Sequence, residues 1–124
     1  MGATKRILIV DDEALLVEMI CERLRFLGYE AESAENGAEA LSKLESTPFN
    51  LVIMDAMMPV MDGLQATRLI KGHEKLKKIP VVFLSARARK EDENEARKAG
   101  ADDYVVKPFE MNVLGAVIEK WLKK

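Results

Sequence analysis

The chain has a single cysteine, a single histidine and no long apolar run in its 124 residues. Cys21 has no second thiol to pair with, so an internal disulfide is excluded. It falls inside a helical pattern, where a small buried thiol is the common role. His73 sits near a helix end in "IKGHEKLKK", away from any strand end, and reads as a solvated loop residue rather than a proton donor. No stretch approaches the ~20 apolar residues of a membrane span. The opening "MGATKRILIV" lacks a signal-peptide core followed by a cleavage site. Charge of one sign is also missing: 19 Lys and Arg against 21 Asp and Glu give a net charge of −2, which supplies no broad electrostatic case for nucleic acid. No repeat, low-complexity tract or linker interrupts the chain. These absences point to a cytoplasmic chain of one domain, whose function has to be argued from a site.

What is present is alternation. "KRILIV" (5–10), "LVIM" (51–54), "PVVFL" (80–84) and "DYVV" (103–106) are continuous runs, as expected of parallel strands covered on both faces. "YEAESA" (29–34) is more polar and reads as the edge strand. Leu16, Ile20, Leu24 and Leu27 repeat at helical spacing and predict a helix over 13–27, with Gly28 where a C-terminal glycine belongs. Asn36 and Asp62 are candidate caps for helices 37–46 and 63–72. A further helix over 90–99 ends in "RKAGA", with a cation in its last turn and Gly100 just beyond. Leu114, Val117, Ile118, Trp121 and Leu122 form one apolar stripe, which is core packing on the last helix. Strict alternation of strands and helices gives an α/β fold: a doubly wound, flavodoxin-like (βα)5 three-layer sandwich. Of the two common doubly wound orders, five strands fit a parallel sheet ordered 2-1-3-4-5. The expectation is one domain over 1–124, with a core of about 5–122 and no output domain.

In such sheets ligands gather outside the carboxyl ends of the strands, at the point where strand order reverses, here between the first and third strands. Asp11, Asp12 and Glu13 follow the first strand, Asp55 the third, Ser85 the fourth and Lys107 the fifth. Nothing comparable follows the second. Asp55 ends a buried apolar run, and a carboxylate out of water is costly unless paired or held by a cation. With Asp11 and Asp12 beside it, joint ionisation is disfavoured unless a divalent cation intervenes. Oxygen donors of this kind suit Mg²⁺, or Mn²⁺ in its place. Lys107 adds a mobile positive charge suited to a phosphoryl group, and Ser85 adds a hydroxyl donor.

"ILIVDDE", "LVIMDAMMPVMDG", "VVFLSA" and "GADDYVVKPF", in that order from about Arg6 to Trp121, together resemble the receiver domain of two-component response regulators. The resemblance implies the same strand order. It implies that Asp55 is the phosphoacceptor, taking a phosphoryl group from phosphohistidine on a sensor histidine kinase or phosphotransfer protein. It further implies that Asp12, Asp55 and the backbone carbonyl of Met57 ligate the metal directly, with Asp11 on a metal-bound water. Lys107 would bridge to the acceptor or its phosphoryl group across a cis Lys107–Pro108 bond, and Ser85 would bond a phosphoryl oxygen. Ser85 and Tyr104 are the implied switch residues, altering the surface of 90–99, 103–106 and 110–122 toward a downstream protein or output domain. Such a chain is a regulatory phosphoacceptor rather than an enzyme, assisting only its own phosphotransfer and dephosphorylation. It is expected as a monomer or a phosphorylation-dependent dimer, with no direct nucleic-acid contact and no membrane insertion.

Pro59 after Asp55 and Gly63 at the next helix fit this pattern and read equally as loop punctuation. Ser85 in place of the commoner Thr, and Glu110 before the last helix, are mild departures. Met57, Met58 and Met61 read as fillers of apolar gaps. Met57 and Arg87, two residues past Asp55 and Ser85, are also expected to screen an acyl phosphate from water. Glu18, Glu22 and Arg23, with the loop after Lys107, are candidate kinase-pairing positions. "LKKIP" and "RARKEDENEARK" read as solvated charge. An aspartate-nucleophile phosphohydrolase would want a second acid where Met57 stands. A dinucleotide module would want a Gly-rich turn that "DDEALL" does not offer. The remaining alternative is a receiver-fold adaptor that works without phosphorylation.

Overall fold

Each apolar run becomes a strand and each helical stripe a helix, in a computed structural model that describes residues 4–58 and 60–123. The expectation for Pro59 therefore lies outside the described residues. The strands are β1 (Arg6–Val10), β2 (Glu30–Ala34), β3 (Leu51–Asp55), β4 (Val81–Ser85) and β5 (Asp103–Val106). The helices are α1 (Ala14–Phe26), α2 (Gly37–Ser46), α3 (Gly63–Gly72), α4 (Lys90–Ala99) and α5 (Met111–Leu122). All strand pairs are parallel, in the order β2-β1-β3-β4-β5.

The sheet separates two apolar layers by simple alternation of side chains. Ile7, Ile9, Leu51, Ile53, Val82 and Leu84 pack with Ile20, Leu24, Leu114 and Ile118 of α1 and α5, and Cys21 is buried among them. Leu8, Val10, Val52, Met54 and Phe83 point the other way, toward Leu44 of α2, Ile70 of α3 and Ala96 of α4. Full burial of each such aliphatic side chain contributes about 1.5–3 kcal/mol, and this double layer is what holds the strand ends in place.

The helix ends follow local chemistry. Asn36 accepts from the Glu39 N–H and Asp62 from the Gln65 N–H, both at 2.9 Å, as their residue types predict. Gly28 and Gly100 take the positive φ values of 97° and 116° that close α1 and α4. Among the described residues no helix is long and apolar enough to cross a membrane.

Two features differ from the sequence reading. "DYVV" is not covered on both faces: β5 is the second edge of the sheet, only Val105 is buried, and Val106 is 39% exposed. The charged run 87–98 is not all solvated either: the Asp92 side chain is only 11% exposed, 3.2 Å from Arg89 and 3.9 Å from Arg87. Outside the two charged runs, a further ion pair braces the sheet. Asp102 accepts from the Val81 N–H and from Lys71 Nζ, each at 2.8 Å, and Lys71 also reaches the Ile79 carbonyl at 2.8 Å. This ties the end of α3 to the starts of β4 and β5. Next to it, burial raises the Asp103 carboxyl, but hydrogen bonds from the Trp121 indole and the Tyr104 N–H outweigh that and hold it below the usual carboxylate range.

Candidate functional site

Strand register assembles the site. Val10 pairs with Met54, so the residues one step further, Asp11 and Asp55, lie side by side. Asp55 pairs with Leu84, and Ser85 with Val106, which delivers Ser85 and Lys107 to the same mouth. The Lys107 N–H donates to the Ser85 carbonyl at 2.7 Å, and the Lys107–Pro108 bond is cis. Asp11 and Asp55 are buried, whereas Asp12 is exposed at the rim. Ligating oxygens of Asp11, Asp12 and Asp55 all lie within 4.8 Å of one another.

Lys107 reaches into this group. Its Nζ donates to Asp11 at 3.0 Å, Glu13 at 3.1 Å and Asp55 at 3.3 Å. Burial pulls the ammonium toward deprotonation, but the hydrogen bond to Asp11 and the charges of Asp11 and Asp55 outweigh it, so the lysine holds its proton more tightly than usual. Asp55 moves the other way. Burial, then the neighbouring Asp11 charge, push its pKa up from 3.8 to about 6, against the pull of Lys107 and the Met57 N–H. One lysine does not neutralise the cluster, and the excess negative charge is compatible with a further cation. Carboxylate oxygens as sole side-chain donors fit a hard divalent ion such as Mg²⁺.

Ser85 is fully buried, and its Oγ accepts from the Arg87 N–H at 3.1 Å. The Tyr104 hydroxyl donates to the Arg87 carbonyl at 2.8 Å, and its ring stacks on Phe83 with centroids 6.3 Å apart. The backbone of Arg87 thus joins the two residues named as a switch pair. Met57 is 60% exposed, while Met58 and Met61 pack on the core, so only the latter two act as gap fillers. Met57, Ser85, Arg87 and Tyr104 line one crevice beside Ala56. The Arg87 guanidinium leans toward Asp92 at 3.9 Å.

Glu18, Glu22 and Arg23 lie exposed on α1 and are not drawn into the acidic mouth. Nearer to it, Leu16, Met19, Pro108 and Phe109 line an apolar groove between α1 and the loop after Lys107. His73 is remote from the site: its Nδ1 accepts from the Lys75 N–H and its Nε2 lies 3.6 Å from Glu45. Three participants carried no assigned role in the sequence reading: Glu13 on Lys107, Phe83 under Tyr104, and Asp92 beside Arg87. Only Glu13, standing directly after a strand-end acid pair, left a signal there.

Comparison with known proteins fits this geometry. Residues 7–119 match the family model described as the response regulator receiver domain. The regulatory protein AtoC of Escherichia coli is 37% identical over 99% of this chain, which spans only 26% of that protein's length. The chemotaxis protein CheY of Pseudomonas aeruginosa is 40% identical over 93% of this chain and 94% of its own. Among solved structures, the receiver domain of a Pseudomonas aeruginosa sensor histidine kinase, with magnesium coordinated in its active site cleft, superposes with a TM-score of 0.90. It is 32% identical and covers 98% of this chain and 100% of its own. With the strand-end acids, serine and lysine gathered on one mouth of a 2-1-3-4-5 sheet, the chain belongs to the response regulator receiver domain family of two-component signalling.

Proposed function

We propose that Asp55 accepts a phosphoryl group from a phosphohistidine and that the acyl phosphate sets the state of the α4–β5–α5 surface. The observation that carries this reading is the convergence of Asp11, Asp12 and Lys107 on the Asp55 carboxylate. Asp12, Asp55 and the Met57 carbonyl would hold Mg²⁺, or Mn²⁺, and Asp11 would support it through a water. The metal supplies charge neutralisation at the phosphoryl oxygens. An Asp55 oxygen attacks phosphorus in line, the phosphorus–nitrogen bond of the donor breaks, and its electron pair returns to the imidazole, which takes up a proton. Lys107 passes its Asp55 hydrogen bond to the phosphoryl group. Ser85 accepts from the Arg87 N–H and so keeps its own hydroxyl proton free to donate to a phosphoryl oxygen.

Drawing Ser85 toward that oxygen loosens the Arg87 segment, and Tyr104 turns inward as its bond to the Arg87 carbonyl is released. This is a population shift between two packings, biased by phosphoryl contacts made in one of them. Attack of water on phosphorus later breaks the phosphorus–oxygen bond to Asp55, releasing inorganic phosphate and the free carboxylate, so the chain assists its own dephosphorylation without being a conventional enzyme. The partners are a cytoplasmic sensor histidine kinase or phosphotransfer protein upstream, and a protein or output domain downstream. Glu18, Glu22, Arg23 and the loop after Lys107 set the pairing with the kinase. The chain acts as one receiver unit, as a monomer or a phosphorylation-dependent dimer, without touching nucleic acid or entering a membrane.

Phosphoramidate carries the same phosphorus–nitrogen bond as phosphohistidine and makes a direct test by ³¹P NMR. The expected result is Mg²⁺-dependent consumption of phosphoramidate with an acyl phosphate signal, abolished by a chelator and by Asp55→Asn. No such signal from a folded chain contradicts the reading and leaves the phosphorylation-independent adaptor.

A further inference from the structure

An ammonium group has three N–H donors. In Lys107 each has a carboxylate partner: Asp11 at 3.0 Å, Glu13 at 3.1 Å and Asp55 at 3.3 Å. Two of these partners are shared with the acidic cluster; the third is not. Glu13 has a side chain that is 64% exposed, so its contact draws the ammonium toward the solvent side of the mouth. Its position is fixed by its own N–H, which donates to Asp11 Oδ1 at 2.9 Å. Glu13 also occupies the N-cap position of α1 yet makes no side-chain capping bond there. Its carboxylate serves the lysine instead of the helix.

A divalent cation and Lys107 need the same two buried carboxylates. Two cations sharing Asp11 and Asp55 repel each other, and the repulsion is strongest where water is scarce. A carboxylate outside the cluster that keeps one donor of the ammonium occupied weakens that competition. We propose that Glu13 is a positioning residue of the acceptor site: it holds Lys107 outward and leaves Asp11 and Asp55 to the divalent cation. The inference rests on the reading of Asp11, Asp12 and Asp55 as a Mg²⁺ site. Glu13 acts through Lys107 rather than through its own negative field.

The test is Mg²⁺ titration of the full chain by calorimetry, without any phosphoryl donor, with circular dichroism to verify folding. The variants are Glu13→Gln, Glu18→Gln, Asp12→Asn, Lys107→Met and the Glu13→Gln/Lys107→Met double variant. Glu18 is exposed on α1 and is not one of the Lys107 partners, so Glu18→Gln measures loss of charge alone. Glu13→Gln is expected to weaken Mg²⁺ binding about three- to ten-fold and Glu18→Gln less than about two-fold. Lys107→Met tightens binding, and in that background Glu13→Gln changes it no more than Glu18→Gln does, because the coupling has been removed. Equal losses for Glu13→Gln and Glu18→Gln overturn the inference, as does an undiminished loss when Lys107 is absent. A parent chain that binds no Mg²⁺, or an Asp12→Asn variant that binds it as well as the parent, overturns the metal reading and the inference together. The failures are thus distinguishable.

Discussion

A β-carbon added to Gly63 would lie 2.2 Å from the carbonyl oxygen of Asp55. The Gly63 N–H also donates to the Ala56 carbonyl at 3.1 Å, so α3 begins directly against the end of β3. The requirement is room rather than an unusual backbone angle, and it decides between the two readings the sequence allowed for this glycine. Gly63→Ala forces the acceptor strand and α3 apart. The expected cost is about 2–3 kcal/mol in urea denaturation, with weakened Mg²⁺ binding because Asp55 is displaced. A variant as stable as the parent contradicts the packing described.

Asp55 carries a folded-state pKa of about 6, above its ordinary 3.8. A carboxyl whose pKa is raised by folding costs nothing while both states are protonated. It destabilises progressively as pH rises from about 4 to about 6, and the loss is complete above that. Asp55→Asn removes the charge and keeps the shape. Without metal, the variant is expected to exceed the parent in stability by on the order of 1–3 kcal/mol at pH 7 and to match it near pH 4. Denaturation curves at the two pH values check both the sign and the window. Added Mg²⁺ stabilises the parent more than the variant and narrows the gap.

The Thr67 hydroxyl on α3 is buried and has no hydrogen-bond partner among the described residues. A hydroxyl desolvated without compensation costs about 1–3 kcal/mol. Thr67→Val keeps the branched shape and removes the cost. The melting temperature is expected to rise, by the equivalent of about 1 kcal/mol, with phosphorylation unchanged. A fall in stability would mean that the hydroxyl has a partner.

Met57 and Arg87 line the crevice beside Ala56, the residue that follows Asp55. An apolar side chain there hinders water from approaching an acyl phosphate, and a polar one can hold water in place. Met57→Asn is expected to shorten the phosphoryl lifetime several-fold, read as decay of the phosphorylated protein after the donor is removed. An unchanged lifetime removes the screening role from Met57.

Strand order and strand-end chemistry are legible in the sequence because buried parallel strands are continuous apolar runs, and outside the edge strand β2 the polar residue that ends each run is a mouth residue. Asp11, Asp55, Ser85 and Lys107 are found that way. Their individual roles come from the family pattern, since a strand-end acid alone does not say what it binds. Glu13 stands beside a strand-end acid pair, but its contact with Lys107 is not legible because the partners are 94 positions apart. Lys71 and Asp102 stand 31 positions apart, and nothing in the local sequence of either points to the other. The order 2-1-3-4-5 places β5 at an edge, but the exposure of Val106 is not legible because Val105 and Val106 read alike, and successive side chains face opposite layers of which only that of Val105 is fully covered.

The central claim is that Asp55 is the Mg²⁺-dependent phosphoacceptor, and intact-protein mass spectrometry after incubation with acetyl phosphate tests it most directly. The account predicts a gain of one phosphoryl group with Mg²⁺, located at Asp55 by peptide mapping and absent with a chelator or in Asp55→Asn. A folded parent that gains no mass, or a gain that persists in Asp55→Asn, contradicts it.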